Sequence, residues 1–198
     1  MDDNGFSGAA TIGRLSAIPW CRTLLESPAW TRTHTSSRIP KPSTEDSFFA
    51  ETLGTQRNIQ SCTALRPTEE SDGSIDEIYY DELRVIYELG DGVNGWPEIA
   101  HGGFVVTLLD ESMGMLLQLN TEVRVTKRVR PHDKASPFTA YLNTTYKKPV
   151  PTPRAVMCKV KVVGRERNKI YLHATIEDGE DLVFTEAEAM FVEVRSKL

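Results

Sequence analysis

Polar and apolar residues follow two different patterns along this chain, and the change falls near residue 80. Before it, apolar residues come in short clusters separated by turn formers. Leu15 to Leu25 predicts a helix interrupted by Pro19 and stopped before Pro28. Thr31 to Lys41 is polar and runs into Pro40 and Pro42, which predicts an extended connection. Ser43-Thr44-Glu45-Asp46 offers a capping hydroxyl followed by acids suited to a first turn. A helix is therefore expected from there to about Leu53 and, past Gly54, on to Leu65. Glu69 to Ser74 is a solvated loop.

From Asp81 the pattern lengthens. Glu82 to Leu89 predicts a strand, and Gly90, Gly92, Gly95 and Pro97 a loop. Phe104 to Leu119 is a helix that is apolar nearly all round, so most of its sides must be covered. Strands are expected at Phe138–Val150, Ala155–Val163, Ile170–Glu177 and Leu182–Arg195. Turn signals separate them at Pro151-Thr152-Pro153, Gly164 to Asn168 and Asp178-Gly179-Glu180-Asp181. Val156 and Cys158 alternate with Lys159 and Lys161, as a strand with one buried face requires. Only these strands supply enough apolar surface to cover the helix. The predicted fold is α+β, an antiparallel sheet wrapped around one long central helix. A helical and irregular N-terminal extension, residues 1–80, precedes the main domain at 81–198.

Composition narrows the function. The 198 residues carry a net charge of −5, most of it before residue 80, which disfavours nucleic acid as a partner. No run approaches the ~18 apolar residues of a membrane span. The acidic start, Met1-Asp2-Asp3-Asn4, argues against a leader, and a cytoplasmic location is expected. Cys21, Cys62 and Cys158 form neither a CxxC pair nor an even set, so no disulfide framework or metal site is expected. His34, His132 and His173 have no metal-ligand spacing. No cofactor is implied.

Two features carry chemistry. Asp110 and Glu111 lie in the middle of the apolar helix, where a carboxylate needs a partner or a purpose. His101-Gly102-Gly103 marks the start of that helix, where unpaired N–H groups and bare glycine backbone can receive a carbonyl oxygen. A loop-to-helix turn that uses glycine for backbone reasons alone fits the same residues. His101 and Asp110 are nine residues apart, roughly 13 Å along a helix and about half a turn out of phase. The helix start and Asp110 of one copy therefore cannot meet on one atom. If both act on one substrate, two subunits must share the site.

The run Gly95-Trp96-Pro97-Glu98-Ile99-Ala100-His101-Gly102-Gly103, continued by Thr107-Leu108-Leu109-Asp110-Glu111, resembles the signature of hotdog-fold acyl-CoA thioesterases. The phenylacetate-pathway branch is the most similar. Thr139-Ala140-Tyr141-Leu142-Asn143-Thr144-Thr145-Tyr146-Lys147-Lys148-Pro149 is similar to the family's next strand. The N-terminal part resembles an extension of fungal members. This likeness implies a hotdog fold, a homodimer or dimer of dimers, and hydrolysis of a thioester on coenzyme A or a carrier protein. A fungal setting would put release of a polyketide or fatty chain, in secondary metabolism, within reach.

Carried over by residue, the resemblance makes Asp110 the nucleophile or the general base for water, with the choice left open. Thr139 would position the water or the carboxylate, and Gly102 N–H would polarise the carbonyl from the partner subunit. His101 would orient the loop or assist binding. Substrate contacts are expected from Gly103, Glu111 and Trp96. Arg128, Lys147 and Lys148 would meet phosphates or an acidic carrier. The segment Thr121–Ser136, with Arg124, Lys127, Arg128, Arg130 and Lys134, departs from the family in being longer and more basic; a solvated loop fits it equally. Two rival readings stand beside thioester hydrolysis. One is a hydratase or dehydratase on the same fold, disfavoured because Met115 and not a histidine follows Asp110 by five residues. The other is a non-catalytic dimeric binding or regulatory module.

Overall fold

A computed structural model describes residues 9–73, 77–129 and 136–194. Helices α1 (Ala9–Leu15) and α2 (Pro19–Glu26) open the chain. The break between them falls at Pro19, which begins α2 at a position where its missing N–H costs nothing. Strands follow at β1 (Trp30–Thr33), β2 (Ile59–Pro67) and β3 (Glu82–Leu89), then the short pair β4 (Asn94–Trp96) and β5 (Ile99–Ala100). The long helix α3 (Gly102–Thr126) precedes β6 (Ser136–Tyr146), β7 (Arg154–Glu166), β8 (Lys169–Glu177) and β9 (Val183–Val194).

Seven strands form one antiparallel sheet in the order β1-β2-β3-β7-β8-β9-β6. Register explains which face each residue serves. Val85 pairs with Cys158 and Tyr87 with Val156, while Cys158 pairs with Ile176 and Ala174 with Ala187. These residues share one face and pack around Leu108, Leu109, Met113, Leu116 and Leu117 of α3. The alternate set, Leu65, Ile86, Ala155 and Met157, faces the other way against Leu15, Cys21 and Leu24 of α1 and α2. The N-terminal helices therefore cap the back of the sheet.

The expected α+β arrangement is what the structure has, with three differences. The helix expected from Ser43 to Leu65 is a single π-helical turn, Phe48–Thr52, followed by strand β2. Left-handed backbone at Thr44 and Asp46 prevents the helix from starting early. Pairing with β3 then decides the fate of Ile59–Pro67, because tertiary pairing overrides local propensity. The extended connection expected over 31–41 contains β1 and a 3₁₀ turn, Ser36–Arg38. Finally, α3 runs on to Thr126. Asn120 is the reason at the packing level: its buried amide accepts from Tyr79 N and Tyr80 N and donates to Tyr80 O, stitching the helix to the chain before β3. Among the described residues, no helix is long and apolar enough to cross a membrane.

Candidate active site

His101 is the N-cap of α3, and its Nδ1 accepts from Gly103 N at 3.0 Å. That bond turns the ring back over the first turn and satisfies one of the open N–H groups there, as a cap does. Gly95 lets this happen: a Cβ there would lie 2.9 Å from the His101 backbone and ring. Gly102 begins the helix, and its carbonyl accepts from the Tyr146 hydroxyl at 3.0 Å.

Asp110 is half-buried on α3, beside β6. Thr139 Oγ1 donates to Asp110 Oδ1 at 2.7 Å. A bulge in β6 creates this contact. Leu142 pairs with Ala189 and Tyr141 with Met190, yet Thr139, not Ala140, stands opposite Phe191. One extra residue is absorbed, which re-aims the strand's side chains. Strict alternation inward from Leu142 would give Ala140 the helix-facing position; the bulge brings Thr139 there.

Glu111 turns elsewhere. Its Oε1 accepts from Ser37 Oγ at 2.6 Å and lies 3.4 Å from Arg38 Nη2. Burial pushes the Glu111 carboxyl above the usual carboxylate range, against the opposing pull of Arg38 and the Ser37 hydroxyl. A cleft of about 370 Å³ runs beside it, between Glu111, Gly114 and Met115 of α3 and Ser37, Glu45 and Asp46 of the N-terminal segment. Gly114 lies one helical turn beyond Asp110, and a Cβ built there meets nothing within 4 Å.

The remaining predicted residues scatter. Trp96 is 73% exposed on the β4–β5 hairpin. Gly103 is exposed at the helix start. Lys147, just past β6, pairs with Glu186 at 2.5 Å, and Lys148 is exposed beside it. Arg128 is exposed just past α3. Arg124 does not belong to a loop: it is 4% exposed on α3 and bonds Glu193 at 2.8 Å. Arg130, His132 and Lys134 lie outside the described residues. Sequence reasoning gave no role to Tyr146, Ser37 or Arg38. Tyr146 lies inside the quoted β6 motif, so its position carried a signal; Ser37 and Arg38 had none locally. Among the described residues no cluster of His, Cys, Asp and Glu is arranged to hold a metal.

Part of this chain is similar to known proteins. A family model for the thioesterase superfamily matches residues 98–185. Mouse acyl-coenzyme A thioesterase THEM4 is 27% identical over 134 residues, which span 65% of this chain and 52% of that protein. Verlamelin biosynthesis protein B from a Lecanicillium species is 36% identical over 79 residues, 39% of this chain and 34% of that protein. The chain thus spans about half the length of the THEM4 relative, at 52%. A hypothetical thioesterase protein from Streptococcus pneumoniae, solved with coenzyme A, aligns with a TM-score of 0.49 at 16% identity, over 58% of this chain and 82% of that one. The matched residues, 98–185, carry α3, Asp110 and Thr139, so the likeness to the thioesterase superfamily falls on the central helix and the strands around it.

Proposed function

We propose that this chain hydrolyses an acyl thioester, carried on coenzyme A or on a carrier protein, to a free acid and a thiol. The observation that carries the reading is the Thr139–Asp110 hydrogen bond. It occupies one carboxylate oxygen and leaves the other for chemistry on the open side of α3. Asp110 takes a proton from water as the water oxygen attacks the thioester carbonyl carbon. The resulting tetrahedral oxyanion is stabilised by backbone N–H groups at a helix start. Its collapse breaks the C–S bond, and the departing thiolate takes the proton from Asp110.

Gly102, eight residues before Asp110, is about 12 Å away along the same helix. The oxyanion donor therefore comes from a second copy, with the two α3 helices antiparallel across a two-fold axis. In this reading residues 81–198 hold the hydrolytic chemistry, while β1 and β2 complete the sheet and Ser37, Glu45 and Asp46 one wall of the cleft. The acyl portion enters the cleft beside Gly114. Glu45, Asp46 and Glu111 on its walls repel phosphates, so the coenzyme or carrier end lies toward Lys147 and Lys148. The THEM4 relative's name supports an acyl-CoA substrate, and the verlamelin relative's name a biosynthetic setting.

The test is thiol release from short, long and aromatic acyl-CoAs and from acyl-carrier proteins, comparing wild type with Asp110→Asn. Loss of a general base predicts a fall of ~100-fold or more. Equal release by both proteins would remove Asp110 from the mechanism.

A further inference from the structure

Arg38 ends the 3₁₀ turn Ser36–Arg38, sixty residues before the segment that matches the superfamily model. It is nevertheless only 3% exposed. Its guanidinium stacks 4.3 Å from the Phe49 ring centroid and 5.7 Å from that of Tyr87. None of its three nitrogens has a hydrogen-bond acceptor among the described residues. What balances its charge is Glu111, whose Oε1 lies 3.4 Å from Nη2 and also receives the Ser37 hydroxyl at 2.6 Å. Two consecutive residues of the N-terminal segment thus converge on one oxygen of the acid next to Asp110.

The charges around that oxygen make the arrangement significant. Asp46, from the turn before Phe48, and Asp110, on α3 itself, both act on Glu111 as like charges. Asp46 is tied to Lys41 at 2.5 Å. The other titratable groups facing Arg38 are the Cys62 thiol and the Tyr87 phenol, both held protonated by burial. Two neighbouring carboxylates oppose each other's ionisation, and a carboxylate that must accept a proton cannot do its work while protonated. A buried cation on Glu111 relieves that repulsion. A short hydrogen bond to the same oxygen fixes the rotation of the helical turn.

We propose that Arg38, with Ser37, is a positioning residue for Asp110: by pairing and clamping Glu111 it fixes the turn of α3 that presents Asp110 and offsets the charge of Asp110's acidic neighbour. The inference rests on the hydrolytic reading above. It makes Ser37 and Arg38 part of the site, although the superfamily match begins only at residue 98.

The experiment compares the full-length wild type with Glu111→Gln, Arg38→Met and the double variant. Each is first checked by thermal melting, then assayed for kcat and KM across pH on a thioester that the wild type cleaves. Glu111→Gln keeps the acceptor for Ser37 and removes the like charge. The acidic limb of its kcat/KM profile is expected to move to lower pH by roughly 0.5–1 unit, with KM within about twofold. Arg38→Met is expected to lose about tenfold or more in kcat at unchanged KM, and the double variant to regain the wild-type acidic limb. If Arg38→Met does not fold, Glu111→Gln and the double variant, which buries no lone charge, still decide. An acidic limb of Glu111→Gln that superimposes on the wild type overturns the role of Arg38 while leaving hydrolysis standing. Absence of thiol release by the wild type on every thioester overturns the hydrolytic reading, and this role with it.

Discussion

Replacing Thr139 by Val isolates the contribution of the hydroxyl, because the two side chains have the same shape and differ in one donor. The lost bond is short, 2.7 Å from Thr139 Oγ1 to Asp110 Oδ1, and its acceptor is a carboxylate. Hydrogen bonds to charged groups contribute about 1.5–3 kcal/mol. The strand edge here is open to water, which places this one at the low end. At ~1.4 kcal/mol per factor of ten, Thr139→Val is expected to lower kcat about 10- to 30-fold. KM should change little, since the hydroxyl is occupied by Asp110 and not by substrate. Thr139→Ser keeps the donor and is expected to stay within about threefold of wild type. Exchanging the two bulge residues (Thr139→Ala with Ala140→Thr) moves the hydroxyl to the residue the ladder leaves unpaired, and should resemble the Val variant. The assay is steady-state thiol release with kcat and KM determined separately. A Val variant within twofold of wild type, or a Ser variant as impaired as Val, would refute the idea that this bond aims the carboxylate.

Three further outcomes follow from particular residues. Gly114 is a helix-interior glycine that no contact requires, so Gly114→Ala should stabilise the fold by up to ~1 kcal/mol, a rise of about 2–4 °C in Tm. Gly114→Leu fills the cleft beside Glu111 and should depress release from long acyl thioesters far more than from short ones; equal losses at every length would detach the cleft from substrate binding. Burial pushes the Cys158 thiol up to about 12, and burial with the nearby Glu88 charge does the same for Cys21. The unfolded chain releases these protons near pH 9, so their contribution is intact below that pH and is lost as pH rises toward 12. The slope approaches ~1.4 kcal/mol per pH unit for each thiol. Denaturant midpoints between pH 8 and 11 should fall in the wild type and fall less steeply in Cys158→Ala; parallel slopes would contradict this.

What could be seen in the sequence was what local pattern controls. Glu82–Leu89 is a strand over the predicted residues, and β7, β8 and β9 lie within a few residues of expectation because alternation and turn residues agree there. Asp110 stood out for a physical reason: an acid in an apolar helix requires an explanation. Thr139 did not stand out in this way. Alternation back from Leu142 selects Ala140, and only the resemblance to a known strand motif pointed to its neighbour. A bulge is a property of two paired strands, and neither strand's own sequence announces it.

Ser37 and Arg38 were illegible for a related reason. They lie in a polar stretch whose local pattern predicts an extended connection, and burial of Arg38 arises only once Phe49 and Tyr87 close over it. Yet half of the signal was present in α3. A second carboxylate, Glu111, follows Asp110 in a helix that must be covered on most sides, and a largely buried carboxylate calls for a countercharge. The basic residue on that same helix, Arg124, is taken by Glu193 at 2.8 Å, and the Arg165 guanidinium meets the same acid at 2.6 Å. Among the described residues the cation that meets Glu111 is Arg38, outside the C-terminal part of the sheet. The chain before residue 80 supplies it, and this joins the N-terminal segment to the turn of α3 on which Asp110 stands.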